Sequence, residues 1–110
     1  MAAWMVDMMR EALELLSASA DDQLAFLTRQ DLHVDDLALT FEDAWVPMQP
    51  LIDSFGLGEA TKDALAAVDR QLAEMARRGT DWDEAALTRS ADWARLRELA
   101  HAALDGLPAA

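Results

Sequence analysis

Apolar residues recur three or four positions apart along almost the whole chain, and no stretch alternates apolar with polar residues over the length of a strand. That spacing collects apolar side chains on one face of a helix but would scatter them over both faces of a strand, so the chain is committed to an all-α fold. Local signals divide it. The first helix is expected over Ala3 to Ser17, and Ser19 with Asp22 has the form of a cap opening a second helix that reaches Gln30. Leu32 and Val34 anchor the following link, and Asp35 is placed to cap a third helix through Trp45. Pro47 then forbids a further regular turn, while Pro50 suits the first turn of a short fourth helix that Gly56 stops. A long helix from Glu59 to Arg78 carries Leu65, Val68, Leu72 and Met75 on one stripe and ends at Gly79, with Arg77 and Arg78 at its negative end. Asp81 with Glu84 marks another start, and Ser90 caps a last helix that runs to Asp105, before Gly106 and Pro108. The expected fold is a single compact bundle of five or six helices over residues 1–106, with 107–110 a flexible tail.

Length agrees with one domain, because 110 residues support one core rather than two. Apolar residues make up 53% and charged residues 27%, which is enough apolar surface to pack a core. The chain has no cysteine, which removes disulfides, thiolate metal sites and thiol catalysis. Its opening, MAAWMVDMMREALELL, has Asp7 inside the apolar run and no base before Arg10, unlike a secretory signal. No window approaches the roughly 18 uninterrupted apolar residues of a spanning helix, so a cytoplasmic location is expected. Lys62 stands alone against eight arginines, in a composition rich in Ala, Leu and Asp that resembles usage in high-GC bacteria.

The formal charge of −12 would repel DNA, RNA and anionic lipid, and favours a basic partner. The acidity is local: residues 1–55 hold eleven acids and two arginines, residues 56–110 ten acids and seven bases. Its centre is DLHVDDLALTFEDAW, from Asp31 to Trp45, with five carboxylates and no base. On a helix here, Leu37, Phe41, Ala44 and Met48 fall on one arc facing the core. Leu39 then points outward, flanked by Asp36 and Asp43 on one side and by Asp35 and Glu42 on the other. An apolar knob among four carboxylates has the composition of an interaction surface, in which the acidic rim speeds association with a basic protein and the apolar anchor supplies desolvated contact energy. Asp35, Asp36, Leu39, Glu42 and Asp43 are therefore the candidate partner-binding residues; the alternative is a solvated acidic face.

Sites for chemistry are poorly represented. Asp31, His33, Asp35 and Glu42 have the spacing of positions 1, 3, 5 and 12 of a calcium loop, but Asp36 stands where a glycine is required and Leu39 offers no ligand at the ninth place. His33 and His101 are far apart and belong to no zinc array. Asp53, Ser54 and Phe55 resemble the DSL motif that carries phosphopantetheine, yet Ser54 comes near the end of a helix rather than at its start. No nucleophile elbow or phosphate-cradling loop is present. No metal, cofactor or catalytic residue is expected.

Two apolar sets remain. On the first helix, Trp4, Met5, Val6, Met8, Met9, Ala12, Leu13, Leu15 and Leu16 cover more than half the circumference, which demands either two neighbours within the chain or a second copy of it. In WDEAALTRSADWARLRELAHAAL, the residues Leu87, Trp93, Leu96, Ala100, Ala103 and Leu104, with Trp82, are spaced as a helical core. This C-terminal third, together with the acidic middle helix, resembles small acidic helical proteins of actinobacteria, some of toxin-immunity type. The resemblance rests on core residues and carries over no functional residue. It implies an immunity-type inhibitor of a basic protein such as a nuclease toxin. A homodimeric structural or adaptor domain is the alternative, followed by a ligand carrier or enzyme without a readable motif.

Overall fold

Helix boundaries follow side-chain chemistry at most ends. The computed structural model describes residues 3–79 and 81–108. In chain order, α1 covers Ala3–Ser17, α2 Ala20–Gln30 and α3 Asp35–Met48. A 3-10 helix, Gln49–Phe55, leads to α4 at Glu59–Arg78, followed by α5 at Glu84–Arg89 and α6 at Ala91–Asp105. Ser19 accepts from the Asp22 N–H at 3.1 Å, and Ser90 accepts from the Asp92 and Trp93 N–H groups at 3.1 and 3.4 Å, each satisfying donors that a helix start leaves open. Asp31, Gly56 and Gly79 end their elements in the left-handed region.

Three boundary expectations are corrected. Asp35 does not cap α3; the residue before the helix is Val34, without a capping side chain, and it is the Asp36 carboxylate that reaches back to the His33 N–H at 2.9 Å. The cap of α5 is Asp83, which accepts from the Ala86 N–H at 2.9 Å, and not Asp81. Pro47 lies inside α3, which runs on to Met48 and directly into the 3-10 helix. A proline in the final turn removes one hydrogen bond where exposed carbonyls can turn to water instead, so the helix survives it. Leu107 is half-buried against the core and the Pro108 carbonyl accepts from Arg10; the rest of the expected tail, Ala109 and Ala110, lies outside the described residues.

Packing explains the wide apolar arc of α1. This helix lies between α3 and α6, and Met9, Ala12, Leu13 and Leu16 are buried against the two. Across α6 lies α4, antiparallel to it, giving the order α3, α1, α6, α4, with α2 and α5 packed on each other beside this layer. One core results, and the expected arcs of α3 and α4 face it: Leu37, Phe41, Ala44, Met48, Leu65, Val68, Leu72 and Met75 are all buried. The radius of gyration of 13.5 Å is close to the ~13 Å of a folded chain this long.

Two polar contacts fix helices in place. Gln23 is fully buried; its amide N–H groups donate to the Leu15 and Leu16 carbonyls at 3.1 Å, and its Oε1 accepts from Arg97 Nη2 at 2.9 Å. Arg97 also donates to the Leu87 carbonyl, so α2, α5 and α6 meet at one guanidinium, whose desolvation lowers its pKa. At the other end, Gly106 is packed against Thr61, and a Cβ on Gly106 would stand 2.1 Å from Thr61 Oγ1. The sequence suggests only a helix stop there; close approach of two helices is what excludes a side chain.

Candidate functional site: an acidic cleft between α3 and the end of α4

The helices α3 and α4 do not pack along their lengths, since α1 packs on α3, α6 on α4, and α1 and α6 on each other. At the far end, the N-terminal half of α3 faces the C-terminus of α4 across an open cleft of about 660 Å³. One wall is His33 with Asp35, Ala38, Leu39 and Glu42; the other is Ala76, Gly79 and Trp82. The α3 positions are spaced three and four apart, the period of a helix face.

The structure separates the five residues singled out in the sequence. Asp35, Leu39 and Glu42 come together in the cleft, whereas Asp36 and Asp43 do not line it. Leu39 is outward-facing as expected, 48% exposed. Val46, 66% exposed and seven residues further on, continues the apolar line by about 10 Å along the same face. Asp36 is occupied locally, since its carboxylate accepts from His33 and its carbonyl from the Thr40 hydroxyl at 2.9 Å. No cation lies within ion-pair reach of Asp35, Glu42 or Asp43 among the described residues. The nearest arginines on α4 are engaged elsewhere: Arg77 pairs with Glu74, and Arg78 with Asp92 at 2.9 Å.

Trp82 was legible only as a core residue, and the structure gives it a second role. It is half-buried and packs edge-on against Trp93, with ring centroids 5.8 Å apart at 82°. Its indole N–H donates to the Met75 carbonyl at 3.3 Å, while the Trp93 N–H donates to the Asp81 carbonyl at 2.7 Å. The Asp81 backbone and the Trp82 indole are thereby both fastened, and the ring is held in the cleft wall. Asp81 shares a hydrogen bond with Asp92, which raises the pKa of Asp81 and lowers that of Asp92, the latter helped by Arg78.

Other candidates have structural places. Asp31 is the left-handed residue ending α2, its N–H directed to the Leu27 and Thr28 carbonyls, and no group of three or more acidic or histidine side chains is arranged to hold an ion among the described residues. Ser54 lies in the 3-10 helix and donates to the Leu51 carbonyl at 2.6 Å. Lys62 bridges Asp53 at 2.9 Å and Glu59 at 2.7 Å, and these hydrogen bonds, that to Glu59 foremost, raise its pKa. No helix of the described residues is long and apolar enough to cross a membrane. Compared with models of protein families, with curated proteins and with solved structures, the chain matches none.

Proposed function

We propose that the chain is a non-enzymatic, acidic protein-binding module whose α3 face receives a basic surface of a protein partner, in the manner of an immunity-type inhibitor of a basic protein such as a nuclease. The observation that carries this reading is Leu39, half exposed between Asp35 and Glu42, two carboxylates with no cation in ion-pair reach among the described residues. An exposed apolar side chain gains most when a partner covers it, and unpaired carboxylates around it favour basic partners and disfavour acidic ones. The long-range field of a chain of charge −12 acts in the same direction. A cytoplasmic setting fits a chain without cysteine.

The test is recovery of a partner from the native host, followed by binding kinetics. Leu39→Ala should mainly speed dissociation, costing about 1 to 2 kcal/mol, whereas Asp43→Lys should slow association and flatten its salt dependence. Asp36→Lys is a poorer probe, because it also removes the contact to His33. A partner that binds both Leu39→Ala and Asp43→Lys like the parent would leave this face as solvated surface. A homodimeric adaptor is the second reading, and Trp4, 53% exposed on α1, is what favours it.

A further inference from the structure

Trp82 brings to the α3 face an aromatic surface that carboxylates and a leucine lack. We infer that the cleft is an arginine pocket: it takes one arginine of the basic partner, its guanidinium against Trp82 and a cleft carboxylate, its aliphatic stem over Leu39 and Ala38. The inference rests on the α3 face being the partner-binding surface and names the group that this surface selects.

Charge complementarity argues for a cation. Asp35 and Glu42 border the cleft without an ion-pair partner among the described residues, and Arg78, the last residue of α4, is turned to Asp92. Shape argues for a long side chain, since Ala38, Ala76 and Gly79 are small and leave the space of about 660 Å³ between Leu39 and Trp82. The ring argues for arginine over lysine: a guanidinium is planar, weakly hydrated and stacks on an indole, whereas an ammonium keeps its water. Trp82 is already held by Met75 and Trp93, so little side-chain freedom is lost when a ligand covers it. Asp35 and Glu42 are two helical turns apart, about 10 Å along the axis, too far for one guanidinium to bridge. The partner segment therefore carries a second basic residue for the other carboxylate, a separation that an extended peptide provides at i and i+3.

The test uses the full chain labelled with ¹⁵N and three blocked tetrapeptides, acetyl-Arg-Ala-Ala-Arg-amide and its lysine and citrulline counterparts. The indole N–H resonance of Trp82 and the amides of Leu39 and Glu42 should move saturably with the arginine peptide. The lysine peptide should bind about threefold more weakly, and the neutral citrulline peptide about tenfold or more. Glu42→Gln, an exposed substitution that leaves the helix intact, should weaken the arginine peptide several-fold. The assignment is overturned if the Trp82 indole does not move at millimolar peptide, if shifts gather at Asp21 and Asp22 instead, or if lysine and arginine peptides bind equally. If the protein partner depends on Leu39 while the Trp82 resonance stays unmoved by it, the partner-binding reading stands and the arginine pocket alone falls. If neither partner nor peptide perturbs α3, both fall.

Discussion

Replacing Gly106 by alanine tests whether the α4 and α6 contact, rather than helix termination, requires glycine there. Gly106 has φ −89° and ψ −9°, a conformation open to any residue, so alanine meets no backbone objection. By itself that substitution should stabilise by about 0.4 to 1 kcal/mol, through lost freedom of the unfolded chain. Against this, the new methyl would stand 2.1 Å from Thr61 Oγ1 and 3.1 Å from Thr61 Cβ and Cγ2, and Thr61 is itself buried. Overpacking of this kind costs about 1 to 3 kcal/mol, and separation of the helices would also break the 3.3 Å hydrogen bond from Thr61 to the Gly106 carbonyl. The net expectation is a loss of about 1 to 2 kcal/mol, or about 4 to 9 °C in Tm for a chain of this size. Urea denaturation followed by circular dichroism measures it, and Thr61→Ala supplies the control. In that background the Oγ1 and Cγ2 contacts are gone and only the 3.1 Å approach to the residue-61 Cβ remains, so Gly106→Ala should turn close to neutral, and the cycle should report a coupling of about 1 kcal/mol. If Gly106→Ala is neutral in the parent, or costs the same with Thr61→Ala, the close-approach argument is wrong.

Trp45 stacks on Phe41 with centroids 5.9 Å apart, but its buried indole N–H has no partner among the described residues, so Trp45→Phe should stay within about 1 kcal/mol of the parent; a loss beyond about 2 kcal/mol in the same urea assay would show that the N–H is satisfied. For the Asp81 and Asp92 pair the signs oppose. The raised pKa of Asp81 means that the fold gains from its protonation and loses that gain as pH rises through its folded pKa, whereas the lowered pKa of Asp92 gives stability that disappears as pH falls through its own. Asp81→Asn should therefore stabilise at neutral pH, with the difference shrinking in acid; equal effects at neutral pH and about pH 3 would contradict the shared proton. Met9→Glu and Leu16→Glu place a charge where the chain leaves no exposure, and should unfold it, whereas Trp4→Glu should leave it folded. Light scattering on folded Met9→Glu monomer from a dimeric parent would instead place a dimer contact on α1.

What could be read from the sequence is what depends on near neighbours. Ser19 and Ser90 cap by contacts two or three residues away, and the stripes on α3 and α4 repeat within each helix, so their meaning is local. Leu39 was legible for the same reason: its neighbours on the helix fix its direction. The other wall of the cleft was not, because Trp82 has the spacing of the C-terminal core, and only the gap left between α3 and α4 exposes part of it. Asp35 and Asp81 are not the caps that their positions suggest, because a carboxylate near a helix start has several donors within reach, and the choice among them depends on loop geometry. Gly106 shows the same limit, since a glycine after a helix signals a stop whether or not another helix lies against it.

The position of α3 at the edge of the layer bears on how the molecule opens. Among the described residues its main long-range packing is with α1, whereas α6 is enclosed by α1 and α4, so within the layer of α3, α1, α6 and α4 amide hydrogen exchange should be fastest in α3 and slowest in α6. The candidate binding face would then lie on the least protected helix of the core layer. A ligand seated across the cleft would tie α3 to the end of α4, which the chain itself does not do, and its binding would be read as slowed exchange from Leu37 to Trp45 without any change of fold.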